Sequence, residues 1–209
     1  AVTFPQDKRA EDASYMSALC FYEGSMDYNL DQTNTDLAIN ELQNFLNAYP
    51  NSEKSKNINE LIDELTYKLE FKAYENAKQY YKIADYKAAN VAFDNVLNDF
   101  PSTKLRSKIY DYILKSRYEL AVPCVYDLKN DGIETGLSFA KQAEREMPNT
   151  DIAKTASDLK TKLLKAKEDF LVLEKKVDER KKELFDKQKT EEARINAEKD
   201  LKNAEKNSE

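Results

Sequence analysis

The chain has 209 residues, a formal net charge of -6, 34% charged and 41% apolar residues, two cysteines and no histidine. Without histidine or clustered cysteine, most zinc sites and every Ser-His or Cys-His nucleophile pair are excluded. Gly24, Gly132 and Gly136 lie in no phosphate-cradling loop, and the acidic balance disfavours nucleic acid as the main partner.

Carboxylates, lysines and tyrosines remain for chemistry, and no acid pair of the glycosidase kind stands out among them. The chain therefore reads as a non-enzyme, with no cofactor and no metal expected. No apolar run approaches the roughly 18 residues of a spanning helix. The opening stretch, residues 1–12, lacks the charged-then-apolar layout of a signal peptide. Scarce Gly and Pro with abundant Leu, Ala, Lys and Glu predict an all-α fold.

Taken in chain order, the prolines set the organisation. Phe4-Pro5, Tyr49-Pro50, Phe100-Pro101 and Met147-Pro148 repeat one phrase at spacings of 45, 51 and 47 residues. Ser52, Thr103 and Thr150 each follow two residues after their proline. Proline ends a helix and biases the preceding residue away from αR. The hydroxyl then caps the next helix. Such a period suggests stacked helical units.

A first helix is expected over Ala10 to about Tyr28, followed by a polar connector at Asn29–Asn34. Ala38, Leu42, Phe45 and Tyr49 form the stripe of a second helix, capped by Asn34, Thr35 or Asp36. A long helix from about Ile58 to Ala84 carries Leu61, Leu65, Leu69 and Ala77. A helix with Ala89, Phe93, Val96 and Leu97 leads to Phe100, and another covers about Thr103–Ala121. Breaks are expected at Val122-Pro123 and at Asp131-Gly132. A segment with Gly136, Ala140 and Ala143 then runs to Pro148.

Residues 70–101 match the tetratricopeptide pattern in register. With Pro101 closing the unit, the small and aromatic positions of the first helix fall on Ala77 and Tyr80. Those of the second fall on Ala89 and Phe93. Ala77, Tyr80, Ala89, Phe93 and Pro101 are therefore expected to pack the repeat. The expected architecture is a tetratricopeptide-like helical-hairpin solenoid followed by a long C-terminal helix. The domains are a repeat array over 1–148 and a charged extension over 149–209.

Tyr49-Pro50-Asn51-Ser52, Ala77 to Tyr81, Tyr86 to Ala89 and Asp99 to Thr103 agree together in turn, aromatics and spacing. With the Tyr15-Met16 helix and the Asp27–Thr33 connector, residues 4–121 resemble the BamD family of outer-membrane assembly lipoproteins. The resemblance implies a lipoprotein scaffold at the periplasmic face of the outer membrane. It implies docking on the periplasmic domains of the central β-barrel assembly protein, contact with other assembly subunits, and receipt of unfolded outer-membrane proteins. It also implies that the chain begins within the array, without the lipid-bearing cysteine that would give membrane contact. The alternative reading is another tetratricopeptide adaptor of the cell envelope.

Beyond the resemblance, Leu159, Leu163, Ala166, Phe170, Leu173 and Val177 follow a 4-3-4-3-4 spacing, continued at Leu184. The stripe fails at Lys187, Glu191 and Arg194. Residues 165–209 hold thirteen basic and thirteen acidic side chains, as in a solvated helix. This segment caps the array and frays, or forms a partner-binding or coiled-coil arm. Tyr81 and Tyr86, by the turn between helices, and Arg106 and Arg117, after Pro101, are the candidate partner-binding residues. Cys20 and Cys124 read as buried small hydrophobes.

Overall fold

The computed structural model describes residues 9–122 and 126–206. Phe4-Pro5, Pro123 and Cys124 lie outside the described residues. All described secondary structure is helical, as the composition predicts, and falls into two compact units, 1–120 and 121–209.

The first unit holds α1 (Ala10–Glu23), α2 (Thr33–Ala48), α3 (Ser55–Lys82), α4 (Tyr86–Asp99) and α5 (Arg106–Ala121, whose last residue crosses into the second unit). Tetratricopeptide-like hairpins form as α1 packs on α2 and α3 on α4. α1 stops earlier than the apolar pattern suggests, at Gly24. The connector then folds around the Gln32 amide. This amide donates to the carbonyls of Asp27, Leu30 and Asp31. Asp31, rather than Asn34 or Asp36, receives the Thr33 N–H at the start of α2. Thr35 is buried, bonded to Gln32 and Ser25.

Ala18, Ala38, Leu42, Phe45, Ile58 and Leu65 form one core cluster of this unit. Burying each large apolar side chain there contributes about 1.5–3 kcal/mol. Ala77 and Ala89 are fully buried where α3 and α4 cross. Only small residues let two helix backbones approach so closely.

The proline phrases work as clasps. The Thr103 hydroxyl accepts from the Leu105 N–H at 2.9 Å and donates to the buried Glu70 carboxylate at 2.5 Å. Ser52 does the same, accepting from the Lys54 N–H and donating to Glu11 at 2.5 Å. Each hydroxyl thus starts one helix and ties it to a carboxylate of an earlier one. Thr150 keeps the local half, accepting from the Ala153 N–H and donating to the Met147 carbonyl.

The second unit is a hairpin of α6 (Tyr126–Glu146) and α7 (Asp151–Lys206). The division falls between Leu120 and Ala121, so α6, which the fifty-residue period groups with the array, packs with α7. The expected break at Asp131-Gly132 does not occur, and α6 runs through both residues. Gly132 is there for approach: a Cβ on it would lie 3.3 Å from the Ala121 Cα. Gly136 faces Leu163 in the same way, with a Cβ 2.9 Å from the Leu163 Cδ1. Two ion pairs, Lys160–Glu144 at 2.8 Å and Lys167–Glu134, link the two helices.

Candidate interaction surface

The turn between α3 and α4 is built by two overlapping caps. At the end of α3, the Ala84 N–H bonds the Tyr81 carbonyl and the Asp85 N–H bonds the Tyr80 carbonyl. This Schellman arrangement requires a left-handed residue, and Ala84 supplies it at φ 61°. Asp85 then caps α4 by accepting the Ala88 N–H at 3.0 Å. So tight a turn brings Tyr81 and Tyr86 together, with ring centroids 5.4 Å apart.

From there a row of rings runs back through the unit. Tyr81 meets Tyr112 edge-on at 5.0 Å, and Tyr112 stacks on Phe93 at 5.4 Å. Tyr74 touches both Phe93 and Tyr112, and Phe71 links Tyr74 to Tyr28. Burial is the main cause that pushes the Tyr74 phenol up to about 12, with Tyr112 and Glu75 adding to it. Burial also raises Tyr81, against the opposing charge of Lys115.

The four candidate partner residues divide into two kinds. Tyr81 and Tyr86 are half-buried and adjoin. Arg117 pairs with Asp94 of α4 at 3.4 Å. Burial raises the Asp94 carboxyl, and Arg117 opposes that rise. Arg106 donates to the Pro101 carbonyl at 2.6 Å. The two arginines sit eleven residues apart, about 16 Å along α5, so the four do not converge on one spot.

Of the expected packing residues, Ala77, Ala89 and Phe93 are fully buried. Pro101 is exposed in the α4–α5 turn and acts by ending α4. Tyr80 corrects the expectation: it is 43% exposed. Helical geometry turns successive residues by about 100°, and it is Tyr81 that joins the ring row. Tyr80 instead lines a shallow groove of about 500 Å³ with Asp85, Lys87, Val91 and Asn95. Val91 there is 58% exposed. A second groove of about 620 Å³ lies over the Pro101 turn, lined by Asp63, Tyr67, Glu70 and Asp99 among others.

Tyr74 and Tyr112, which the sequence places in two separate tyrosine clusters, meet in this ring row. One signal was present for the first. Glu70, Tyr74 and Ala77 repeat the spacing of Glu11, Tyr15 and Ala18, and in both places the glutamate closes a clasp. Cys20 is a further correction, being exposed on α1 and free. No described helix is long and apolar enough to cross a membrane.

Residues 1–127 match a family model described as YfiO, outer membrane lipoprotein. The chain is also similar to the outer membrane protein assembly factor BamD of Caulobacter vibrioides. The two are 29% identical over 100 residues, covering 48% of this chain and 33% of that protein. The chain thus spans about a third of the length of this curated relative.

Proposed function

Because the chain belongs to the YfiO family of outer membrane lipoproteins, we propose that it is a non-catalytic scaffold subunit of the outer-membrane β-barrel assembly machinery. In this reading it docks on the periplasmic domains of the central barrel protein. It also contacts other assembly subunits and helps insert outer-membrane proteins. The observation that carries the reading is the family match over residues 1–127, which takes in all of α1–α5 and the ring row. The assembly-factor name of the Caulobacter relative supports it.

The docking surface we assign to the α3–α4 turn. Tyr81 and Tyr86 offer large faces with polar tips, held in place by the two caps. Exposed Tyr80 and Val91 line a separate groove that shares Asp85 with this turn. Arg106 and Arg117, bonded to the Pro101 carbonyl and to Asp94, are separate contact points on α5 in this reading.

Affinity purification of the full-length protein from detergent-solubilised outer membrane, with mass spectrometry, tests the assignment. Near-stoichiometric recovery of the central barrel protein is expected. Substitution Tyr86→Ala is expected to lower that recovery about tenfold or more, the loss typical of a hot-spot tyrosine. Intact bait without the barrel protein would leave a tetratricopeptide adaptor with another envelope partner.

A further inference from the structure

α6 has 21 residues and α7 starts five residues after it ends. In an antiparallel hairpin of equal rise, α6 therefore runs out beside about Leu171. Burial agrees. Leu163 and Phe170 are 2% and 5% exposed, whereas Leu173 and Leu184 are 48% and 54% exposed. Beyond this point α7 continues to Lys206, about 52 Å of further helix. Apart from half-buried Glu174 and Val177, every side chain from Leu171 to Asn196 is exposed.

The seam itself does not stop with α6. The spacing that buries Leu159, Leu163 and Phe170 carries on to positions 173, 177, 180, 184, 187, 191, 194, 198 and 201. Its charges are sorted by heptad position. Arg180, Lys187 and Arg194 hold d, and Glu191 and Glu198 hold a. A parallel in-register pair would set each of these against its own copy, like against like. An antiparallel pair sets a against d, opposite against opposite.

We propose that residues 172–206 form an antiparallel two-stranded coiled coil with the same stretch of a second copy of this chain. The register is centred near residue 189. Lys187 then faces Glu191 of the second copy, twice by symmetry. Leu184 lies against the aliphatic stem of Arg194.

Flanking positions agree. Gln188 meets Gln188 and Lys181 meets Ile195, with no like-charge pair, whereas the parallel arrangement opposes Lys176 and Lys181. This register also lays the end of each helix beside residue 172 of the other. The second copy thus takes up the seam where α6 leaves it. The Glu191–Arg194 contact within the helix is 3.9 Å long and exposed, too weak to compete.

Sedimentation equilibrium of the 209-residue chain under reductant, up to about 0.5 mM, tests this over the range of weak association. A monomer–dimer equilibrium is expected. Lys187→Glu should raise the dimer dissociation constant about tenfold or more, the scale of a lost charge pair. The double exchange Lys187→Glu/Glu191→Lys should bring it back to near the parent value. Circular dichroism must show unchanged helix in each variant. Monomer at every concentration overturns the proposal. So does an unaltered constant in Lys187→Glu, which would fit parallel pairing or another face. So, too, does a double exchange that fails to recover.

Discussion

Single residues carry much of the local order, and several give sharp tests. Ala84 sits in the left-handed region without being glycine. Ala84→Gly is expected to stabilise the first unit by about 0.5–1 kcal/mol, read as a higher urea midpoint. Thr103 satisfies a carboxylate that is only 7% exposed. Thr103→Val, which keeps the shape and loses the hydroxyl, should cost about 1–3 kcal/mol. Thr103→Ser should recover most of it.

Tyr74 makes stability depend on alkaline pH. Its phenol is raised from 10.0 to about 12 in the folded chain, so the folded state holds the proton longer than the unfolded one. The contribution is fully present below pH 10 and is lost as pH rises toward 12. The urea midpoint should fall across that window, and Tyr74→Phe should flatten the fall. At this scale sequence reading resolves residue type better than side-chain direction. Adjacent Tyr80 and Tyr81 both suit a helix face, and only packing against Tyr112 decides which ring turns inward.

Helices and turns were the legible scale. Proline, Ser/Thr and Asp act within a few residues, so the phrase boundaries at Pro50, Pro101 and Pro148 place the ends of α2, α4 and α6. The distant half of each clasp was not legible, since Ser52 and Glu11 lie 41 residues apart. Nor was the continuity of α6. Gly132 reads as a breaker locally, and only the nearby Ala121 backbone explains it. The two stretches of α7 should answer differently to the same change. Leu163→Ala removes a buried side chain from the α6 contact and should cost about 2–5 kcal/mol. Leu184→Ala should shift stability at low protein concentration by under about 0.5 kcal/mol. Thermal melts at a few micromolar would separate them.

For the whole molecule, composition was enough to exclude histidine-based chemistry and to announce helices. The repeat phrases then carried the resemblance that the family match supports. Contacts at the α3–α4 turn are a property of shape and were not written in any spacing, unlike the heptad charges of α7. At a few micromolar, where the chain is monomeric, a chain ending at Leu171 should melt at the same temperature as the full one, because residues 172–196 bury so little. That long helix also bears on how the chain folds. An isolated peptide of this length must first close one turn against a nucleation constant of roughly 10⁻³. Residues 172–206 never meet that barrier, because the hairpin with α6 hands them a finished turn to elongate from. Order should therefore spread outward in nanosecond steps per residue and melt inward from Lys206. In the monomer at a few micromolar, amide hydrogen exchange should record this as protection declining smoothly along the arm, with no second transition.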